Sequence, residues 1–330
     1  MCQTPSPHTW GRSTSRSLVL LSGEGTTIPA AEAEAVFLTY DPSSTFLSPE
    51  PRVLIAESRA DPFKVGGRIA FARRVGVFLN EPSDALPWLA NRRVRFRCFD
   101  LCADGASPDP GEYLRGVDAT VDLRNPDYEL SMIRGKEEYL AVTAPRGMRQ
   151  DWSLRRPRKR PYFHPSAIFP KLSRALVNMS RCREGNLFVE PFAGTGSIAL
   201  EAHLVGAEVV AIDISPTMAL GALANMRHFG QEWLGVIRGD AAAMPLRRAA
   251  AAATDVPYGR ASSTRGRDPS VIMENALDAL DSVLGSGSRA VVMHPQSLKV
   301  DPGARFSVEE EHNLHVHKLL TRTITVLERK

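Results

Sequence analysis

Cysteine is scarce in this sequence, and its four cysteines are Cys2, Cys98, Cys102 and Cys182. They form neither a CxxC pair nor a Cys/His cluster with zinc spacing, so we expect reduced thiols and no metal site. Long apolar runs are also missing, since no stretch approaches the roughly 18 residues of a membrane helix. The first residues lack the pattern of a signal peptide. The sequence therefore predicts a cytoplasmic protein without a membrane partner, and no feature indicates an obligate protein partner.

Neither positive nor negative charge dominates the composition. The sequence has 41 Lys and Arg and 37 Asp and Glu, so its net charge is +4. The basic residues nevertheless concentrate in residues 146–160, where Asp151 is the single opposing charge. Trp152, Tyr162 and Phe163 lie nearby and can add stacking to phosphate contacts. We interpret the stretch as RNA-binding, and a solvated charged linker is the alternative. Its basic residues are Arg146, Arg149, Arg155, Arg156, Arg158, Lys159 and Arg160.

A length of 330 residues favours about two domains. Residues 1–17 are rich in Ser, Thr and Pro and predict a flexible extension. Residues 18–145 contain short strand-like runs with intervening helices and predict an α+β region, followed by a basic linker at 146–163. From residue 164 onward strands and helices alternate, which predicts an α/β, Rossmann-like domain over 164–330.

Predicted helices and strands show where each motif lies along the chain. The α+β region has predicted strands at 18–21, 53–56, 94–98 and 139–142, with helices at 29–40, 63–71 and 85–90. The second domain has predicted strands at 187–189, 209–212, 235–238, 290–293 and 323–327, with helices at 166–180, 216–227 and 272–284. The three histidines His312, His315 and His317 fall in a predicted hairpin, where packing and surface roles are favoured over metal binding.

A glycine-rich turn, EPFAGTGS at residues 190–197, joins a buried strand to a helix. Gly194 and Gly196 allow a tight turn and a close approach of backbone to ligand. The next strand ends in Asp213, whose carboxylate can accept hydrogen bonds from two ribose hydroxyls. Dehydrogenases use similar turns, and Asp213 can instead cap the following helix. The combination favours a nucleotide-like cofactor at the carboxyl ends of these strands.

Asp240 and Ala241 follow the third strand of the predicted sheet. There the carboxylate can accept a hydrogen bond from an adenine amino group, and the Ala241 N–H can reach a ring nitrogen. Capping of a turn by Asp240 is the alternative.

The segment Asp255-Val256-Pro257-Tyr258 is placed where the fourth strand should end. Its composition suits methylation of an amine conjugated to a ring, because the Asp255 carboxylate and the Val256 carbonyl can both accept hydrogen bonds from that amine. Tyr258 can stack on the base, and Pro257 stiffens the loop. A turn with a buried tyrosine is the alternative, but the order of motifs along the chain favours catalysis.

These motifs resemble those of the archaeal tRNA guanine-10 N2-methyltransferases, which join a THUMP RNA-binding domain to a Rossmann-like methyltransferase domain. The resemblance extends over residues 18–330, and its local matches lie at 21–24, 121–127, 160–167, 190–197, 255–263 and 315–322. It implies a tRNA partner and a flipped guanine at Asp255 to Tyr258. It also implies S-adenosylmethionine as cofactor, bound along His164, Ser166, Glu190, Phe192, Gly194, Gly196, Asp213, Asp240 and Ala241.

The chain departs from the family pattern at Val256, where a second proline is usual, and at Glu190, where the family often has Asp. Five alanines at 249–253 give little β preference, so the sequence does not define where the fourth strand starts. The residues leave open an rRNA or DNA amino-methyltransferase and a catalytically weakened RNA-binding protein of the same fold. A nicotinamide-dependent dehydrogenase is the third alternative, and it leaves Asp255 to Tyr258 without a role.

Overall fold

The computed structural model describes residues 14–23, 26–101, 113, 118–145, 151–230, 235–258, 266–317 and 320–330. The chain forms two compact units. Unit 1 comprises residues 1–24 and 36–150, and unit 2 comprises residues 25–35 and 151–330. The division between residues 150 and 151 falls inside the predicted basic linker.

Unit 1 contains a mixed sheet in which eight strands can be followed through the described residues, in the order β2-β3-β1-β4-β8-β7-β5-β6. The strands are β1 (Ser15–Leu21), β2 (Thr45–Glu50), β3 (Val53–Ser58), β4 (Ala72–Leu79), β5 (Arg93–Asp100), β6 (Thr120–Val121), β7 (Tyr128–Arg134) and β8 (Glu138–Thr143). The helices are α1 (Ile28–Tyr40), whose first residues belong to unit 2, α2 (Pro62–Arg68) and α3 (Leu86–Leu89).

Two inner strands, β4 and β7, were not predicted because they carry charged residues that are typical of a surface. In the structure Arg74 on β4 is 8% exposed and Glu129 on β7 is fully buried. The Arg74 Nε lies 3.2 Å from Glu129 Oε2. A buried ion pair thus replaces the apolar pattern by which a strand is usually recognised.

Unit 2 is built on a second sheet, for which the described chain gives the order β11-β10-β9-β12-β13-β15-β14. The strands are β9 (Leu187–Glu190), β10 (Glu208–Asp213), β11 (Gly235–Arg238), β12 (Ala249–Asp255), β13 (Leu284–Pro295), β14 (Phe306–His317) and β15 (Leu320–Arg329). The helices are α4 (Pro170–Met179), α5 (Ser197–Leu204), α6 (Pro216–His228) and α7 (Pro269–Val283). The first five strands are parallel, β15 is antiparallel to β13, and β14 pairs with β15 in the predicted hairpin. The α/β, Rossmann-like fold is confirmed.

The strand order reverses between β9 and β12. From β9 the chain builds outward through β10 and β11, and then it returns to add β12 on the other side of β9. In an open parallel sheet such a reversal leaves a crevice at the carboxyl ends of the strands, because the connecting loops diverge there. Glu190, Asp213 and Asp255 are the last residues of β9, β10 and β12.

The alanine run forms part of a central strand, although its composition gave no clear strand signal. Ala251, Ala252 and Ala253 on β12 are buried between β9 and β13. Helix α4 packs on β12 and β13. Neighbouring strands and the covering helix therefore override the weak intrinsic preference of alanine.

Helix α4 begins at Pro170, four residues later than the predicted start at residue 166. Phe169 is extended, with φ −69° and ψ 146°, because the ring of a following proline disfavours the helical conformation. Residues 165–168 consequently remain outside the helix and are available to line the crevice.

Residues 25–35 complete unit 2 from a distant part of the sequence. The buried Asn178 side-chain amide donates to Glu32 Oε1 at 2.7 Å. Thr27 Oγ1 and His312 Nδ1 share a hydrogen bond of 2.7 Å. No helix in the described ranges is long and apolar enough to cross a membrane.

Candidate active site

A cavity of about 360 Å³ lies in unit 2 at the carboxyl ends of β9, β10 and β12. The structure brings nine of the predicted site residues together in its wall: Ser166, Glu190, Phe192, Gly194, Asp213, Asp255, Val256, Pro257 and Tyr258. Ten residues that were not among the predicted site residues complete the lining: Pro165, Ala167, Ile168, Ala193, Thr195, Ser197, Ile214, Ser215, Met218 and Arg322.

The glycine-rich turn is fixed to the end of β10. The Gly194 N–H donates to Asp213 Oδ2 at 2.8 Å, and the Ser215 N–H donates to Asp213 Oδ1 at 2.8 Å. Gly194 has φ +52°, and a Cβ built on it would meet no atom within 4 Å. The open side of Gly194 therefore faces space that a ligand can occupy, and Asp213 holds the backbone in that conformation.

Glu190 accepts a hydrogen bond from the first turn of helix α5. Gly196, at φ +77°, precedes the helix, and the Ala199 N–H donates to Glu190 Oε2 at 2.7 Å. Burial raises the pKa of Glu190 well above its usual value, and the nearby charges of Asp213 and Asp255 raise it further. The carboxyl group satisfies one of the unpaired N–H groups that every helix start presents.

Asp255 is the last residue of β12, and its two carboxylate oxygens differ in their hydrogen bonding to the described residues. Arg322 Nη1 donates to Asp255 Oδ2 at 2.8 Å. Asp255 Oδ1 is buried and has no hydrogen-bond partner among the described residues. Burial raises the pKa of Asp255 to about 6, and Arg322 opposes that rise. The site thus holds a buried acceptor beside a cavity.

The residues after Asp255 are held by backbone and side-chain contacts. The Val256 N–H donates to the Met293 carbonyl at 3.0 Å. The Tyr258 hydroxyl accepts a hydrogen bond from Arg322 Nη2, and the guanidinium lies 5.1 Å from the Tyr258 ring centroid. The loop is therefore fixed at both ends, even though Val256 replaces the proline that is usual in the family.

Four predicted cofactor-binding residues lie outside the cavity wall, namely His164, Gly196, Asp240 and Ala241. Asp240 Oδ1 accepts from the Ala242 N–H at 3.1 Å and Asp240 Oδ2 from Arg267 at 2.9 Å, so Asp240 caps the turn at Ala241–Ala243. His164 Nδ1 and Ser166 Oγ share a hydrogen bond of 2.7 Å, which shapes the loop that lines the cavity. The adenine contact remains a prediction.

The basic stretch is not a free linker where the structure describes it. Arg155 Nε lies 2.7 Å and Arg174 Nη2 lies 2.8 Å from the carboxylate of the fully buried Glu201. The Arg155 guanidinium lies 4.8 Å from the Trp152 ring centroid. Arg155 and Trp152 therefore pack inside unit 2, where a buried carboxylate needs a cation.

Arg160 and Tyr162 also serve packing rather than RNA contact in this structure. Arg160 is 5% exposed and donates to Ser197 Oγ at 2.6 Å, and burial lowers its pKa to about 10. The Tyr162 ring fills the space above Gly221, because a Cβ at Gly221 would lie 2.1 Å from it.

Within the described part of the basic stretch, the exposed basic residues are Arg156, Arg158 and Lys159. Arg158 lies 5.6 Å over the ring centroid of Phe163, which is 44% exposed. Arg146 and Arg149 lie outside the described residues. RNA contact by the exposed residues remains a prediction.

Arg322 is a charged residue of the cavity wall that was not among the predicted site residues. It is the only basic side chain in the described cavity wall, and it reaches that wall from β15, near the end of the chain. A signal existed, because the tail segment 315–322, which was matched to the family, ends at Arg322. What the sequence could not supply is the pairing of β13 with β15 that sets Arg322 opposite Pro295.

Comparison with solved structures supports this architecture. The crystal structure of TrmN from Thermus thermophilus covers 96% of this chain over 100% of its own length, with a TM-score of 0.51 and 20% sequence identity. At that identity the likeness shows a shared fold.

Curated sequences with similarity are tRNA (guanine(10)-N2)-dimethyltransferases. The protein of Methanothermobacter thermautotrophicus is 29% identical over 94% of this chain and 99% of its own length. That of Methanocaldococcus jannaschii is 32% identical over 54% of this chain and 51% of its own length. The family model described as RMKL-like, methyltransferase domain matches residues 157–323, which include the whole described cavity wall. The chain therefore belongs to the RMKL-like methyltransferase domain family.

Proposed function

We propose that this chain transfers methyl groups from S-adenosylmethionine to N2 of guanine 10 in tRNA, giving N2-methylguanosine and then N2,N2-dimethylguanosine. The observation that carries the proposal is the buried Oδ1 of Asp255, which has no hydrogen-bond partner among the described residues and lies in the cavity wall beside Val256 and Tyr258. An acceptor kept dry and unpaired is an unfavourable arrangement unless a donor arrives. The substrate follows from the names of the two curated relatives.

The cavity fits the proposed cofactor in shape and charge. Gly194 leaves open the space that any side chain would fill, and Asp213 stands at the end of the neighbouring strand, where two ribose hydroxyls can be bound. Asp255 adds a carboxylate to the same wall, which favours a positively charged ligand. When bound, S-adenosylmethionine supplies a methyl group on a positively charged sulfur.

The protein's part in the reaction is to orient the amine and to receive its proton. Asp255 Oδ1 accepts a hydrogen bond from one amine N–H, and the Val256 carbonyl accepts one from the other, so that the nitrogen lone pair is turned out of conjugation. Tyr258 stacks on the base and fixes its plane. The nitrogen loses a proton as it gains the methyl group, and a carboxylate with a pKa of about 6 can take that proton near neutral pH.

The second methyl transfer uses fewer hydrogen bonds between the site and the amine than the first. A monomethylated amine keeps a single N–H, so one of the two acceptors then loses its partner. Asp255, which also receives the proton, is the acceptor that both transfers share in this scheme.

Unit 1 is assigned an RNA-binding role of the THUMP type in this proposal. The support is the family resemblance of residues 18–145 and the extent of similarity to the Methanothermobacter thermautotrophicus protein, which covers nearly the whole chain.

Unit 2 also contributes to RNA binding in this proposal. Arg156, Arg158 and Lys159 make phosphate contacts from the exposed part of the basic stretch.

A labelled-methyl assay with unmodified tRNA transcripts tests the function. We expect label from S-adenosylmethionine in a transcript with guanine at position 10, and digestion should release N2-methylguanosine before N2,N2-dimethylguanosine. A matched transcript with adenine at position 10 should receive no label. Equal labelling of both transcripts would instead indicate another base, and labelling of rRNA alone would place the substrate in the ribosome.

The exposed basic residues make a separate prediction. Replacing Arg156, Arg158 and Lys159 together with alanine should weaken tRNA binding and reduce the slope of log affinity against log salt by up to about 3, since each phosphate contact contributes roughly one unit. Fluorescence anisotropy at several salt concentrations measures both quantities. The triple variant Arg227→Ala, Lys299→Ala, Lys330→Ala removes the same charge at other exposed positions. An identical loss in both triples would show a net-charge effect and no specific contact.

A further inference from the structure

Arg322 bridges the two side chains on which the proposed chemistry depends. Its Nη1 donates to Asp255 Oδ2 at 2.8 Å, while its Nη2 donates to the Tyr258 hydroxyl. The same guanidinium lies 5.1 Å from the Tyr258 ring centroid. A planar guanidinium presents its donors in a fixed fork, so these contacts set the acid and the aromatic ring relative to each other.

The position of Arg322 in the sheet makes this arrangement rigid. Arg322 lies on β15, where it pairs with Pro295 of β13, and β13 in turn pairs with β12, which ends at Asp255. The Arg322 side chain is 16% exposed and that of Asp255 is 17% exposed. Both groups are therefore anchored in one sheet, on the two strands that flank β13, and are largely shielded from water.

Charge also favours a role for Arg322 beyond packing. Glu190 on β9 and Asp213 on β10 add two further carboxyl groups to the same wall, and the charge of Asp255 raises the pKa of Glu190. Arg322 is the cation that opposes them within the described wall. By taking Oδ2 it also leaves Oδ1 as the oxygen that is free to receive a donor.

We propose that Arg322 is a positioning residue for amine methylation: it holds the Asp255 carboxylate and the Tyr258 ring in one arrangement, with Asp255 Oδ1 presented to the substrate amine. This inference rests on the proposed function and assigns a residue to that same site. Contact of Arg322 with an RNA phosphate is the competing role, and the described contacts disfavour it because both terminal nitrogens already donate within the site.

The first test needs neither substrate nor cofactor. The full-length protein is labelled with [4-¹³C]aspartate, the Asp255 resonance is assigned by its loss in Asp255→Asn, and its midpoint is measured by pH titration. We expect a midpoint near 6 in the wild type. In Arg322→Ala it should rise by about one to three pH units, because an opposite charge favours the carboxylate. Arg322→Lys keeps the charge and should stay close to the wild type.

The second test separates orientation from charge. In the tRNA methylation assay we expect Arg322→Ala to lower kcat about 100-fold, the effect of a misplaced catalytic group. Arg322→Lys should lower kcat about 10-fold, since an ammonium cannot hold Asp255 and Tyr258 in one fork. KM for tRNA and the Kd for S-adenosylmethionine should stay at their wild-type values in both.

Arg329→Ala is the matched control, because Arg329 lies on the same strand and its Nε is 2.8 Å from Asp281 Oδ1, away from the cavity wall. It should change neither the midpoint nor kcat. The proposal is overturned if Arg322→Ala behaves like this control, or if its affinity for tRNA falls while kcat is kept. A wild type that transfers no methyl would refute the proposed function, and the titration alone would then decide whether Arg322 controls Asp255.

Discussion

Asp255→Asn is expected to reduce kcat for methyl transfer by about 100- to 1,000-fold, comparable with the loss of an oriented polar group at an active site. An amide cannot take the departing proton, and it cannot accept from both Arg322 and the amine, since only one of its two ends is an acceptor. The Kd for S-adenosylmethionine should change little, because Gly194 and Asp213 are untouched. Single-turnover assays and calorimetric titration measure the two quantities.

The pH dependence of wild-type activity follows from the same carboxyl group. Burial raises the pKa of Asp255 to about 6. The carboxylate is therefore the main form at neutral pH, and protonation removes it as the pH falls through 6. We expect kcat to decline below pH 6 in the wild type and the residual kcat of Asp255→Asn to be flat over the same range.

Asp281→Asn provides the comparison for this pair of measurements. Asp281 also pairs with an arginine of β15, at 2.8 Å, but lies outside the cavity wall. This variant should keep the wild-type kcat and pH profile. Full activity in Asp255→Asn, or an acid limb that survives in it, would remove Asp255 from the reaction.

Gly194→Ala should weaken S-adenosylmethionine binding by about 10- to 100-fold, which corresponds to roughly 1.4 to 2.8 kcal/mol. The new Cβ would project into the open space beside the backbone, where a ligand that approaches the turn closely would overlap with it. At φ +52° the alanine also strains the turn that Asp213 holds. Calorimetric titration with the cofactor measures the change.

Gly185→Ala controls for strain alone. Gly185 precedes β9 at the opposite end of that strand, has φ +74°, and would likewise place a Cβ in open space. The two variants should lose similar thermal stability, but Gly185→Ala should bind the cofactor as the wild type does. Equal affinity in both variants would show that Gly194 does not face the cofactor.

Much of unit 2 was readable from the sequence, because alternation and local motifs coincide there. The strand at Gly235–Arg238 was predicted at its observed bounds, and the site at the ends of β9, β10 and β12 follows from residues that lie next to each strand. The predicted start of α4 lay four residues too early, because the ring of Pro170 disfavours the helical conformation at the preceding residue, Phe169.

Contacts between residues that are far apart in the sequence could not be predicted from the sequence. Arg322 reaches Asp255 across 67 residues, and a segment of alternating polar and apolar residues does not say which side chain turns toward a cavity. The packing role of part of the basic stretch was not readable for a related reason. Its positive charges suggested RNA binding, but Arg155 forms an ion pair with the buried Glu201. The position of Glu201 depends on how α5 packs, which the local sequence does not show.

Unit 2 draws on residues 25–35 as well as on residues 151–330. During translation those early residues leave the ribosome long before Asn178 and His312, to which Glu32 and Thr27 bond, have been synthesised. They can form these hydrogen bonds only after the partner residues have been synthesised. Unit 2 therefore cannot complete its folding before the C-terminal part of the chain is made, unlike a domain built from one continuous N-terminal segment. A deletion that removes residues 25–35 is therefore expected to affect the unit that holds the candidate active site.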